Sequence, residues 1–557
     1  MLSRRAGLAL SLVLALVLSA DGGAARAEPP GNFATTPAIG RPAGIAPAMP
    51  VAAPSRSFAG DLAGALAETG YASRLASLGL DPVMLRDFYA VRANRALWVE
   101  DGGIAPAGAV LVTSLQTVSR GGLAAVAPAV ARIEALGTAS DATSLTELEL
   151  LLSGTLAEAA FAAGEAMDAG TRLALLDRID ADDPAPAVAT LLPAQRDFWA
   201  LVQAFRSYSA IALAGGWPRV PDGPKLELGM RDPRVAALRE RLVATDGEPA
   251  LVTEPELFDA ALEASVKRFQ RRHGLGDDGV VGFKTIDALN MPVEDRLRSI
   301  AFNIRKLYDK RRDWGDRYIY VNIAAAELTY VDGGVVRTHV RTVVGRKDRE
   351  TPELDSEINR LEFNPFWTVP PKIARVDLLP KIQANPRYFA EQNIRIYSSW
   401  SEAANEIDPD TIDWFSAEAR AMRYRLKQDP GPENALGPVK LLFPNQYDVY
   451  IHGTTHQELF VKPARFFSSG CIRVKEPLDL AAMVLSDDPS WDRARIDATV
   501  AKGRNTPVKL LRPLPIHLDY RTAWIDAEGL LQLREDIYRR DKLPPKAVLA
   551  QNATADR

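Results

Sequence analysis

Apolar positions along this chain repeat with two different periods. From residue 61 to 225 they recur at helical spacing, as in Thr143–Asp168, which has no interior proline. This predicts a helical domain, with Trp98, Phe198 and Trp199 as core aromatics. Residues 226–291 predict three short helices: one starting at Asp232 with proline at its first position, one over Ala260–His273, and one over Thr285–Leu289 after an Asp278-Gly279 turn. Leu297, Ile300, Ile304 and Leu307 then form one stripe of a helix over 293–314, with Lys310-Arg311-Arg312 as its solvated end. At Tyr318 the period drops to two. Strands are predicted over Tyr318–Ile323, Leu328–Val331, Val335–Val344, Val439–Phe443 and Val449–His452, with Asn445 in a turn. Helix-like segments and loops at 372–435 interrupt this sheet, as a lid does. A helix follows Pro477, and a strand-turn-strand over Ala523–Gln532 is expected to pack on the sheet domain.

Length and composition change the picture little. A chain of 557 residues with 47% hydrophobic and 25% charged content has material for two to four domains. Residues 1–27 read as a secretory signal: Arg4 and Arg5, an apolar Ala6–Ala20 shorter than the roughly 20 residues a membrane span needs, and an Ala25-Arg26-Ala27 cleavage site. Membrane association is expected only if that segment is uncleaved. Residues 28–60, rich in Pro, Ala and Gly, read as a tether. The formal charge is −4; loss of 1–27 removes three arginines and one aspartate and makes it −6. That lacks the basic field of a nucleic-acid binder.

The chemistry concentrates in Tyr450-Ile-His452-Gly453-Thr454 and Phe467-Ser468-Ser469-Gly470-Cys471-Ile472-Arg473. Cys471 is the only cysteine and His452 one of five histidines. A thiol attacks as thiolate, and an imidazole nearby can take its proton. Small residues before the cysteine let the backbone turn its amides toward an oxyanion. A lone cysteine is also an ordinary buried hydrophobe. His456 is a rival base; His517 lies outside the motif, His339 is expected to be structural, and His273 a surface or capping residue. No cofactor and no metal are expected.

These two motifs resemble the YkuD catalytic domain of L,D-transpeptidases, whose pattern is His-Gly, a spacer, then Ser-x-Gly-Cys-[Ile/Val]-Arg. Where the wider family has histidine before the glycine, this chain has Ser469, as in the large periplasmic YcbB-like branch. The Phe269-Gln270 pair, Gly274-Leu275 and Asp278-Gly279-x-x-Gly282 resemble the small peptidoglycan-binding domain. The resemblance implies a multidomain α+β protein: signal 1–27, linker 28–60, helical scaffold 61–225, peptidoglycan-binding domain 226–291, returning helix 292–315, β-sandwich catalytic domain 316–513 with a capping insertion at about 372–435, and an extension 514–557. It implies that Cys471 is the nucleophile and His452 the base, oriented by the Gly453 carbonyl. The Gly470 and Cys471 amides would stabilise the oxyanion, helped by a helix following the cysteine. Tyr450, Trp367, Ser469 and Arg473 are the expected substrate contacts; Trp367 is equally a core plug, and Arg473 equally a brace for the cysteine loop. The implied substrates are peptidoglycan tetrapeptide stems, as donor and acceptor of 3–3 cross-links, and carbapenems are the implied inhibitors. Water as acceptor would give an L,D-carboxypeptidase or hydrolase; a silent cysteine would leave a wall-binding scaffold. The implied location is the periplasm.

Overall fold

The computed structural model describes residues 56–163, 196–246, 253–309 and 314–541, with a few positions between 176 and 192. The signal segment, nearly all of the linker, Lys310-Arg311-Arg312 and the last sixteen residues lie outside the described residues. Among the described residues no helix is long and apolar enough to cross a membrane.

The first helix, Arg56–Ala67, begins inside the stretch expected to be tether. The helical domain is centred on Ala142–Ala163, which is buried along most of its length. Trp98, Phe198 and Trp199 are fully buried in its core. The helix Val293–Asp309 returns to it: Val293, Leu297, Ile300 and Ile304 join the same cluster. Its apolar stripe packs mainly against the helix Arg196–Leu213.

The small domain has helices Arg234–Asp246, Ala260–Arg272 and Phe283–Asn290. The first starts two residues later than expected, because Asp232 stays outside and accepts from the Arg234 N–H. His273 is buried rather than superficial. It is the C-cap of the second helix, stacks on Phe269 at 3.9 Å and bonds the Phe269 carbonyl through Nδ1 at 2.8 Å.

The β-rich domain that begins near Tyr318 is built on one sheet of nine strands. Its order is Phe466–Ser468, Val335–Gly345, Ile472–Val474, Ile451–His452, Val439–Leu442, Leu354–Phe363, Thr506–Asp519, Tyr318–Asn322, Glu327–Asp332. Glu327–Asp332 also pairs with Val335–Gly345, so the layers of the expected sandwich are continuous and close on themselves. Thr506–Asp519 makes this possible: its register shifts between Lys509 and Leu514, where the strand bends. That strand also crosses the expected boundary at 513.

The insertion is more than helices and loops. Trp367–Thr368, Arg425–Gln428, Ile394–Tyr397 and Glu406–Ile407 form a separate four-stranded sheet. It has its own core, including Val369, Phe389, Trp414 and Leu426. The hairpin Ala523–Ile525/Leu531–Leu533 forms as expected but packs elsewhere than expected. Ala523, Leu531 and Leu533 are apolar and bury into the helical core. Arg272 donates to the Leu531 carbonyl at 3.0 Å, and Arg534 to the Arg272 carbonyl at 3.0 Å. Only the following segment, with Tyr538, returns to the catalytic core.

Candidate active site

Ile451–His452 and Ile472–Val474 are neighbouring parallel strands, with Ile451 opposite Ile472 and His452 opposite Arg473. Side chains alternate along a strand. Ile451 and Ile472, both fully buried, therefore face the core. Tyr450, His452, Cys471 and Arg473 share the opposite face, with Cys471 and His452 as diagonal neighbours. Such neighbours lie roughly 7–8 Å apart at Cα. The Tyr450 and His452 rings are 5.6 Å apart.

Close backbone packing covers His452. A Cβ on Gly453 would stand 3.0 Å from Pro438 and 3.3 Å from the Leu436 carbonyl oxygen, so only glycine lets the 436–438 segment approach. His452 is almost fully buried. Desolvation pushes its imidazole down to about 3, and the Arg473 and Lys440 charges act the same way. Backbone groups of Gly453 and Leu436 oppose this. Since they favour the charged ring, they present acceptor carbonyls. Nδ1 nonetheless has no hydrogen-bond partner among the described residues. Lys440, opposite His452 on the next strand, is neutralised by Glu362 at 2.8 Å.

Cys471 is half-buried. Burial pushes its thiol up to about 11, against opposing effects of the Tyr450 backbone and the Arg473 charge. Among the described residues the thiol's one hydrogen-bond contact is the Asp448 carbonyl at 3.9 Å, not His452. Asn445 orders that neighbouring turn, accepting from the Tyr447 and Val449 N–H groups and donating to the Phe443 and Val449 carbonyls.

The turn before the cysteine is tight. Gly470 has φ +116°, a left-handed conformation that glycine adopts freely. Its N–H, the expected oxyanion donor, is engaged by Ser468 Oγ at 3.2 Å, and Ser468 Oγ donates to the Cys471 carbonyl at 2.6 Å. The Cys471 N–H makes no hydrogen bond among the described residues, which leaves it available to an oxyanion. The helix expected at Pro477 forms there, over Pro477–Val484, but the strand Ile472–Val474 separates it from Cys471, so its N-terminus does not directly follow the thiol.

The other expected contacts divide. Tyr450 is half-buried beside His452. Trp367 packs partly buried against the cap core, as a plug would. Ser469 Oγ accepts from Arg349 at 2.9 Å. Arg473 braces nothing: its side chain makes no hydrogen bond among the described residues, and its Nε is buried without a partner. His456 is exposed and bonded to Glu458 at 3.2 Å, away from the thiol. His339 is exposed on its strand and His517 pairs with Asp355 at 2.9 Å. Arg349, Thr351 and Asp377 went unnoticed in the sequence. For the first two the signal was a single polar run, Gly345–Pro352, which reads as any loop; Asp377 lies in a helix-like stretch of the insertion.

Comparison with known proteins accords with this geometry. Residues 316–509 match the L,D-transpeptidase catalytic domain family, YkuD; residues 231–289 match a peptidoglycan-binding domain family, and 84–167 a scaffold domain family. A Haemophilus influenzae protein provisionally named an L,D-transpeptidase is 34% identical over 224 residues, 40% of this chain and 44% of that one. The chain thus spans less than half the length of that relative. A solved L,D-transpeptidase from Xylanimonas cellulosilytica aligns with 16% identity over 54% of this chain and 99% of its own, at a TM-score of 0.17. One from Stackebrandtia nassauensis aligns with 13% identity over 55% of this chain and 98% of its own, at 0.21. Scores that low support no inference. The sequence match and the paired strands together identify residues 316–509 as a YkuD L,D-transpeptidase catalytic domain, carried on one chain with a peptidoglycan-binding domain.

Proposed function

We propose that the chain is an L,D-transpeptidase that makes 3–3 cross-links between peptidoglycan stems through a thioester on Cys471. The observation that carries this is the register of the two short strands, which puts the lone thiol and a buried imidazole on one face. With the thiol held up to about 11 and the ring down to about 3, both are neutral at neutral pH. His452 therefore acts as a base during attack, not beforehand.

Substrate entry turns the thiol from Asp448 toward His452. Sulfur bonds to the carbonyl carbon of diaminopimelate while its proton passes to His452, and the carbonyl electrons move onto oxygen. The Cys471 N–H stabilises that oxyanion. The oxyanion collapses, the C–N bond breaks, and D-alanine leaves with the proton from His452. The side-chain amine of a second stem then attacks the thioester; a C–N bond forms, the C–S bond breaks, and the proton returns to sulfur. The carbonyls of Gly453 and Leu436 steady the ring while it is charged. Arg473, a cation whose buried Nε has no partner among the described residues, suits a stem carboxylate, while Tyr450, beside His452, lines the groove. Carbapenems acylate the same sulfur. A cell-wall polymer as substrate places the protein outside the cytoplasm, in the periplasm if residues 1–27 direct secretion.

Mass spectrometry of products from purified tetrapeptide stems tests this. A dimer short of one D-alanine is expected. Trimmed monomers alone would make water the acceptor and the protein a carboxypeptidase.

A further inference from the structure

The loop at 345–351 grips the residues just ahead of the nucleophile. Thr351, fully buried, donates its hydroxyl to the Gly470 carbonyl at 2.8 Å. The same Oγ1 accepts from the Gly345 N–H at 2.8 Å, so its hydrogen is directed at Gly470. Tyr538 locks the loop from outside. Its hydroxyl donates to the Gly345 carbonyl and accepts from the Thr351 N–H, the latter at 3.3 Å. Its ring stacks on Tyr520 at 5.1 Å.

The consequence follows from peptide geometry. In a planar trans peptide the C=O of one residue and the N–H of the next point in opposite directions. The Gly470 carbonyl and the Cys471 N–H belong to one such unit. Holding the carbonyl at Thr351 therefore fixes where the Cys471 N–H points. Glycine at φ +116° offers little resistance to rotation of that unit by itself, so the hydroxyl supplies a constraint that the backbone lacks. We propose that Thr351 is a positioning residue for acyl transfer, aiming the Cys471 N–H at the developing oxyanion. This rests on the acyl-transfer reading above.

Two reactions of the same sulfur separate the role from general damage. Acylation by meropenem passes through an oxyanion; alkylation by iodoacetamide does not. Both rates are measured on the full chain for the wild type, Thr351→Val and Thr351→Ser. Thr351→Val is expected to acylate about tenfold more slowly, less than the loss on deleting an oxyanion donor outright. It should alkylate at the wild-type rate, and Thr351→Ser should match the wild type in both. Unchanged acylation by Thr351→Val overturns the proposal, and so does an equal fall in both reactions. If Thr351→Val does not fold, Tyr538→Phe, which frees the loop, should show the same split; its absence is equally fatal. A wild-type protein that alkylates at Cys471 but never acylates would instead overturn the acyl-transfer reading itself.

Discussion

Burial moves the Cys471 thiol and the His452 imidazole in opposite directions. Desolvation raises the Cys471 thiol to about 11 and lowers the His452 ring to about 3. Each shift favours the neutral form, so the resting pair is thiol and imidazole rather than thiolate and imidazolium. The sign fixes a pH dependence. A thiol above its ordinary value of about 8.5 yields less thiolate at every pH below it. The iodoacetamide rate should therefore climb about tenfold per unit between about pH 7 and pH 10, with no plateau on the way. A plateau below about pH 8 would reveal a preformed ion pair and refute the neutral resting state. At this scale the sequence was informative about identity and silent about state. The lone cysteine, the His-Gly pair and the small residues pointed to Cys471 and His452 as the candidate pair. Their protonation depends on the 436–438 segment closing over the ring, a long-range contact that no local pattern encodes.

The cap meets the turn before Cys471 chiefly through Arg349. Arg349, almost wholly buried, ion-pairs with both carboxylate oxygens of Asp377 in the cap and donates to Ser469 Oγ at 2.9 Å. Asp377 lies on a short π-helical turn, Ala374–Leu378. Asp377→Ala would leave the buried guanidinium without that partner. Because Asp377 is partly exposed, the cost should be about 2 kcal/mol, below the 3–5 kcal/mol or so of a fully buried pair, read from denaturant midpoints. The carbapenem acylation rate should fall with it. An unchanged midpoint would mean that Asp348, which also reaches the Arg349 guanidinium, compensates its charge without Asp377. Elements with a long, clean period were legible: the helix Val293–Asp309 and the strands from Tyr318 lie where the pattern puts them. The cap's sheet was not. Its strands span two to four residues, too short for alternation to register.

Over the whole molecule, the C-terminal hairpin joins parts that are far apart in sequence. Ala523, Leu531 and Leu533 complete the helical core, Arg272 and Arg534 tie the peptidoglycan-binding domain to it, and Tyr538 braces the loop behind Gly470. The small helical domain and the β-rich domain thus share a structural tie that ends beside the turn before Cys471. The sequence disclosed the hairpin but not its partner, because alternation tells which residues seek burial and not against what. All of this structure matters to function only if Cys471 carries an acyl group. The direct measurement is the intact mass of the full chain after incubation with meropenem, followed by peptide mapping. The wild type should gain one inhibitor mass on Cys471, while Cys471→Ser and His452→Ala should gain none over the same time. A wild type that stays unmodified, or an adduct that persists in Cys471→Ser, would contradict the account.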